Sequence, residues 1–195
     1  MRYLLLIVLL VFLGSCSKEK EQEHKPAKAN PHAEMTQSDF SLLYDAPEQW
    51  IKEQPTSKMR KDQYRLPGKE GQQDAEMTVF FFPHSGGSIE SNLKRWYGQF
   101  ISTDDTPISE KARKEIKTIN GLEVTIVEFE GTYKKAKGPM MMGGEFEEMP
   151  GYALLAAIVP TDAGPWFFKC VGPEKTIRFH KNNFEQFIQT FKLKE

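Results

Sequence analysis

The sequence predicts an α+β domain, with helices packed on a mostly antiparallel sheet. Three observations predict it. The run Tyr152-Ala-Leu-Leu-Ala-Ala-Ile-Val-Pro160 is uncharged, apolar in both parities and closed by proline. That is the pattern of a strand buried on both faces, with Ala153, Ala156 and Ala157 leaving room for close packing of helices. Asn120-Gly121 stands between two strand-like segments, 112–119 and 122–133, and is a strong signal for a tight hairpin. Two stripes recur at helical spacing: Ile89, Leu93, Trp96, Tyr97 and Phe100, then Ile177, Phe184, Phe187, Ile188 and Phe191.

Taken in order, residues 40–44 are an expected first strand, ended by Asp45-Ala-Pro47. Residues 59–66 mix polar and apolar side chains and read as an exposed or edge strand, stopped by Pro67-Gly68. Lys58, Arg60, Lys61 and Arg65 would guard that edge against strand addition; a site for an anionic partner is the functional alternative. Residues 76–82 form a clearer strand with apolar residues on both faces. Its turn, Pro83 to Ser88, leads to a helix expected from Ser88 to about Ile101, with Ser88 as cap and Glu90 in the first turn. Ser85-Gly86-Gly87-Ser88 is also a place where backbone N–H groups could meet an anion, although Gly-Gly commonly just permits such a turn.

After a loop at 103–107, the 112–119 and 122–133 hairpin follows. Leu122, Val124 and Ile126 share one parity, while Val127, Phe129 and Tyr133 share the other, which suggests a bulge at 126–127 or burial on both faces. Residues 134–151 read as a loop leading to the central strand. Thr161-Asp-Ala-Gly164 then turns into the strand Trp166 to Val171, expected to pair with the central one. Gly172-Pro173-Glu174 opens the terminal helix.

The formal net charge of −1 argues against a general nucleic-acid binder, and one monomeric domain is expected. With 12% aromatic residues the chain has ample material for a core.

The N-terminus reads as an address. Met1-Arg2 precedes an apolar run from Tyr3 to Leu13, about half of the roughly 20 residues that span a bilayer. Leu13-Gly14-Ser15-Cys16 follows and resembles the bacterial lipobox. That resemblance implies a lipoprotein signal peptide over 1–15 and acylation of the Cys16 thiol. Ser17 after the cysteine would favour the outer membrane, periplasmic side, in a Gram-negative cell. Residues 16–37 alternate charges with almost no large apolar side chain and read as a disordered tether, with His24 and His32 as solvated linker residues. The folded domain is assigned to 38–195.

No Gly-x-Ser-x-Gly elbow, His-Glu-x-x-His helix, Cys-x-x-Cys pair or EF-hand loop occurs, and no cofactor or metal is expected. Cys170 shares parity with Trp166 and Phe168 and reads as an inert buried thiol. His180 reads as a surface or packing residue of the last helix. The least ordinary stretch is Gly138 to Gly151, where Met140, Met141, Met142 and Met149 stand among glycines beside Glu145, Glu147 and Glu148. Such a stretch can fold back over the sheet end or offer an adaptable surface to a ligand or partner, with Trp96 as a further contributor. Its thioethers also suit Cu(I).

Gly131-Thr132-Tyr133, Trp166-Phe167-Phe168-Lys169 and Gly172-Pro173-Glu174 before a Phe-rich helix resemble a group of bacterial envelope proteins. Trp50, Met59-Arg60 and Tyr64-Arg65-Leu66-Pro67 fit the same resemblance. The layout over about Phe40 to Lys194 is similar to the PsbP-like α/β/α sandwich, named for an extrinsic subunit of photosystem II. The resemblance implies that fold and a non-catalytic assembly or binding role, and it assigns no functional residue. The expected function is therefore a lipid-anchored envelope protein that binds or supports another envelope component. The alternatives are a hydrolase using His84 with a carboxylate of the methionine stretch, and a Cu(I)-binding protein.

Overall fold

The computed structural model of the protein describes residues 41–69, 71–138 and 145–194. The leader, Cys16, the tether with His24 and His32, and Met140, Met141 and Met142 lie outside the described residues.

Chain order begins with β1 (Leu42–Leu43), β2 (Ile51–Glu53), β3 (Asp62–Leu66) and β4 (Ala75–Phe81). Then come α1 (Ile89–Tyr97), β5 (Phe100–Ile101), α2 (Ile108–Lys111), β6 (Arg113–Ile119) and β7 (Leu122–Ala136). The chain closes with β8 (Phe146–Val159), β9 (Trp166–Pro173), α3 (Glu174–Gln189) and β10 (Lys192–Leu193).

Among the described residues, eight strands form one sheet in the order β2-β3-β4-β9-β8-β7-β5, with β6 also pairing β7. Its strand pairs are all antiparallel. The α+β expectation of helices on an antiparallel sheet is met. β8 lies inside the sheet between β9 and β7, and Ala153 through Val159 are each 5% exposed or less. One face of β8 (Ala153, Leu155, Ala157, Val159) joins the core under α3, and the other (Leu154, Ala156, Ile158) joins the core containing Leu93 and Trp96 of α1. The alternation places a core on each side of the sheet, which makes three layers.

Aromatic packing fixes α3. Phe184, Phe187 and Phe191 are each 1% exposed or less, and Phe168 of β9 stacks on Phe191 at 4.4 Å between centroids. Each fully buried Phe contributes about 1.5–3 kcal/mol relative to exposure. The β6–β7 turn holds the helix end as well. Asn120 and Gly121 take positive φ (49° and 80°), as an Asn-Gly hairpin requires. Asn120 Nδ2 then donates to the carbonyls of Gln189 (3.1 Å) and Phe191 (2.8 Å).

Several boundaries depart from the sequence reading. The first strand is two residues long, because it pairs only with β10. β3 is not an edge: β2, too short to show a pattern, lies outside it, and Gln63, Tyr64 and Leu66 are buried. α1 ends at Tyr97, and Phe100 enters β5 to pair with Tyr133. Residues 134–136 and 146–151 extend the β7–β8 hairpin rather than forming a loop, with Lys134 opposite Glu148 and Lys135 opposite Glu147. Opposed charges at such positions contribute about 0.2–1 kcal/mol each. The parity change at 126–127 reflects burial on both faces, since Val124 faces one core and Val127 the other. The register shift falls later, between Gly131 and Tyr133.

Candidate functional site

Strand register aligns two cross-sheet rows on the face that α1 covers. One row is Arg65, Glu76, Val171 and Leu154; the other is Gln63, Thr78, Lys169 and Ala156. Leu93 and Trp96 pack with Leu154 and Ala156, so the helical cover stands over β8 and β9. Toward β2, β3 and β4 the same face is open, and it forms a concavity of about 530 Å³.

Its floor is a continuous polar network. Arg60 Nη1 donates to Gln63 Oε1 (2.6 Å) and Glu76 Oε1 (2.7 Å). Gln63 Nε2 donates to Glu53 Oε2 at 3.4 Å. Arg65 bridges Glu53 (Nε to Oε1, 2.9 Å) and Asp74 (Nη1 to Oδ2, 2.9 Å). The Gly68 N–H, and after it the Arg65 guanidinium, hold the Asp74 carboxyl below the usual carboxylate range. Tyr133 and Tyr152 form the wall on the β7–β8 side, stacked with centroids 6.1 Å apart and planes 12° apart. The Tyr152 hydroxyl donates to Gln73 Oε1 at 3.1 Å. Groups fixed on strands or on the turns beside them, and tied to each other, form a pre-arranged surface, which suits recognition.

Lys169, partly buried and not itself a lining residue, reaches toward the Tyr133 ring from β9. It lies between Phe167 and Val171 on β9, donates to Gln99 Oε1, and places Nζ 6.0 Å from the Tyr133 centroid. Burial, with Arg95 next in effect, pushes its ammonium down to about 8.

The residues singled out by sequence are placed as follows. Trp96 is 4% exposed and packs edge-on against Phe167 at 6.0 Å, so it is core and not a ligand or partner surface. The helical stripe that drew attention to it points inward. Met149 is partly buried in β8, opposite Tyr133. Cys170 is buried in the α3-side core, which raises its thiol pKa. His180 is a packing residue, 2% exposed and bonded to Trp50. Ser88 spends its side chain on the Ser91 N–H. His84 lies just beyond β4, its backbone N–H donating to Ala163 O at the β8–β9 turn. Glu147 and Glu148 lie at the other end of β8, about 35–40 Å from Val159 along the strand at about 3.3 Å per residue. The proposed His84–carboxylate pair is therefore not assembled. Among the described residues, no group of three or more His, Cys, Asp or Glu side chains is placed to hold a metal ion. No described helix is long and apolar enough to cross a membrane.

Sequence reading found Arg60 and Arg65 but assigned them to a solvated edge, and it passed over Glu76, Tyr152 and Lys169. The signal for Lys169 was present: it is one charge within the apolar strand Trp166-Phe-Phe-Lys-Cys-Val171.

No protein-family model and no curated protein matches the chain. Among solved structures it is similar to PA94 from Pseudomonas aeruginosa, described as a protein of unknown function and candidate regulator. That match has a TM-score of 0.48 at 8% identity, over 75% of this chain and 98% of that one. It is also similar to cyanobacterial PsbP (CyanoP) from Synechocystis sp. PCC 6803. Here the TM-score is 0.46 at 11% identity, over 87% of this chain and all of that one (100%).

Proposed function

We propose that this chain is a membrane-tethered binding domain of the bacterial envelope, without catalysis of its own. In this reading residues 1–15 direct export, Cys16 carries the lipid and residues 16–37 hold the domain off the bilayer. The Leu13-Gly-Ser-Cys16 motif behind its apolar run supports the anchor. Several acyl chains on one residue anchor firmly, since each buried CH₂ contributes about 0.8 kcal/mol.

The observation that carries the binding part is the concavity over β2, β3 and β4, with Arg60, Arg65, Glu53 and Glu76 held in one network beside stacked Tyr133 and Tyr152. Polar groups fixed in place lose little freedom when a partner docks, and flat aromatic rings offer contact area at low entropic cost. The occupant in this reading is a ligand or an exposed segment of another envelope component.

Chemical crosslinking of the full-length protein in membranes, followed by affinity capture and mass spectrometry, tests the reading. A discrete partner or ligand adduct is expected, lost when Arg65 and Tyr152 are both replaced by Ala. An adduct pattern unchanged by that double replacement would overturn it.

A further inference from the structure

We infer that the concavity takes a neutral saccharide, with a sugar ring against the Tyr133–Tyr152 wall and its hydroxyls on the Arg60–Glu76 pair. The inference rests on the binding reading above and names the ligand class that reading leaves open.

The charge balance of the lining carries it. Arg60, Arg65 and Lys135 stand among Glu53, Asp74 and Glu76, so the surface has no net sign. Each cation is also matched locally. Arg60 binds Glu76 at 2.7 Å, Arg65 binds Glu53 and Asp74 at 2.9 Å, and Lys135 stands opposite Glu147 across the β7–β8 hairpin. A charged ligand of either sign would compete with one of these partners, whereas an uncharged one leaves them in place. The pairs keep spare hydrogen-bonding capacity. Arg60 makes both of its bonds through Nη1, and Glu76 accepts through Oε1. Among the described residues Arg60 Nη2 and Glu76 Oε2 have no partner, which leaves a donor and an acceptor on one ion pair. A hydroxyl can accept from the first and donate to the second, and bonds to ionised groups are the stronger kind.

The aromatic wall supplies the other half. Tyr133 and Tyr152 line the same concavity with their planes 12° apart. The negative face of an aromatic ring attracts the weakly positive C–H groups of a sugar ring, whose hydroxyls point outward from its rim. The volume of about 530 Å³ falls within the range of small-molecule sites. Protein segments fit less well. An added strand docks on a sheet edge, and an amphipathic helix needs an apolar groove, but this floor is charged and lies on the face of the sheet.

The test titrates the full chain with chitotriose, cellotriose and maltotriose, each up to about 10 mM so that millimolar affinities are reached, and follows it by NMR. Saturable shifts at Tyr133, Tyr152, Arg60 and Glu76 are expected with at least one of them. That affinity should hold between about 0.05 and 0.5 M salt, because the ligand forms no ion pair to be screened. Tyr152→Ala should weaken binding by about tenfold or more, and Tyr152→Phe, which keeps the ring, by much less. Glu76→Gln should weaken it severalfold. No binding of any of the three, shifts outside the concavity, an affinity that falls steeply with salt, or equal affinity in Tyr152→Ala or Glu76→Gln would each overturn the inference. Should Tyr152→Ala fail to fold, Glu76→Gln and the salt series of the unmutated protein decide. Failure of all three sugars with the membrane adduct intact would leave the binding reading standing with another occupant. An adduct indifferent to replacement of Arg65 and Tyr152 would remove both.

Discussion

The indole N–H of Trp50 donates to Nδ1 of His180 across 3.3 Å, joining the approach to β2 to the middle of α3. Because Trp can only donate, Nδ1 is the acceptor, and Nε2–H donates to Pro67 O at 2.9 Å. One buried ring thus ties two chain segments to one helix. His180→Ala would leave both partners unpaired beside a void, and about 2–4 kcal/mol of stability should be lost. Urea unfolding checks this, and a loss below about 1 kcal/mol would contradict the role.

Two glycines are held by close approach. A Cβ on Gly172 would stand 2.3 Å from Ala75 Cβ, and one on Gly131 would stand 2.6 Å from Ile101 O. The first brings β9 against β4, and the second lets β5 cross β7. Gly172→Ala and Gly131→Ala should each cost about 1–3 kcal/mol in thermal or urea unfolding. Gly138→Ala, with nothing within 4 Å of its Cβ, should be neutral within about 0.5 kcal/mol.

Lys169 makes stability depend on pH in a defined direction. Its ammonium is lowered from 10.5 to about 8, so between those values the unfolded chain holds the proton and the folded chain does not. Stability therefore rises with pH across that window, by up to roughly 1 kcal/mol per unit from this group. Below pH 8 both states are protonated and the burial penalty is fully present. Other lysines and tyrosines titrate in the same range, so the measurable quantity is the difference from Lys169→Met. That variant should be the more stable at pH 7, and its advantage should shrink toward pH 10. A difference flat with pH would contradict the assignment.

The proposed lipid anchor has a direct readout. Mass spectrometry of the protein extracted from membranes should find a mature N-terminus at Cys16 carrying acyl chains, and Cys16→Ala should release the domain from the membrane fraction. An unmodified, freely secreted N-terminus would contradict it.

What could be read from the chain beforehand follows a physical line. β8 was legible because burial on both faces leaves an uncharged run, and the Asn120-Gly121 turn because positive φ restricts residue choice. β2 was not, since Ile51-Lys-Glu53 has no periodicity and exists through its pairing with Gln63, Tyr64 and Arg65. Missing it turned β3 into an apparent edge and its arginines into apparent solvent groups. The end of α1 was misplaced because Phe100 continues the helical spacing, although its contact with Tyr133 is made from a strand. The concavity gathers residues from β2, β3, β4, β7, β8 and β9, and no local pattern can announce such a meeting. Trp96 shows the converse error, in which a conspicuous side chain is conspicuous because the core needs it.

In the reading proposed above, this domain meets its occupant on the open half of the sheet. Photo-crosslinking in intact cells measures it most directly, with the photoreactive residue placed at Tyr152 in the concavity or at Ile116, 59% exposed on β6. A discrete adduct is expected from position 152 and none from position 116. Equal labelling at both positions, or labelling at 116 alone, would contradict it.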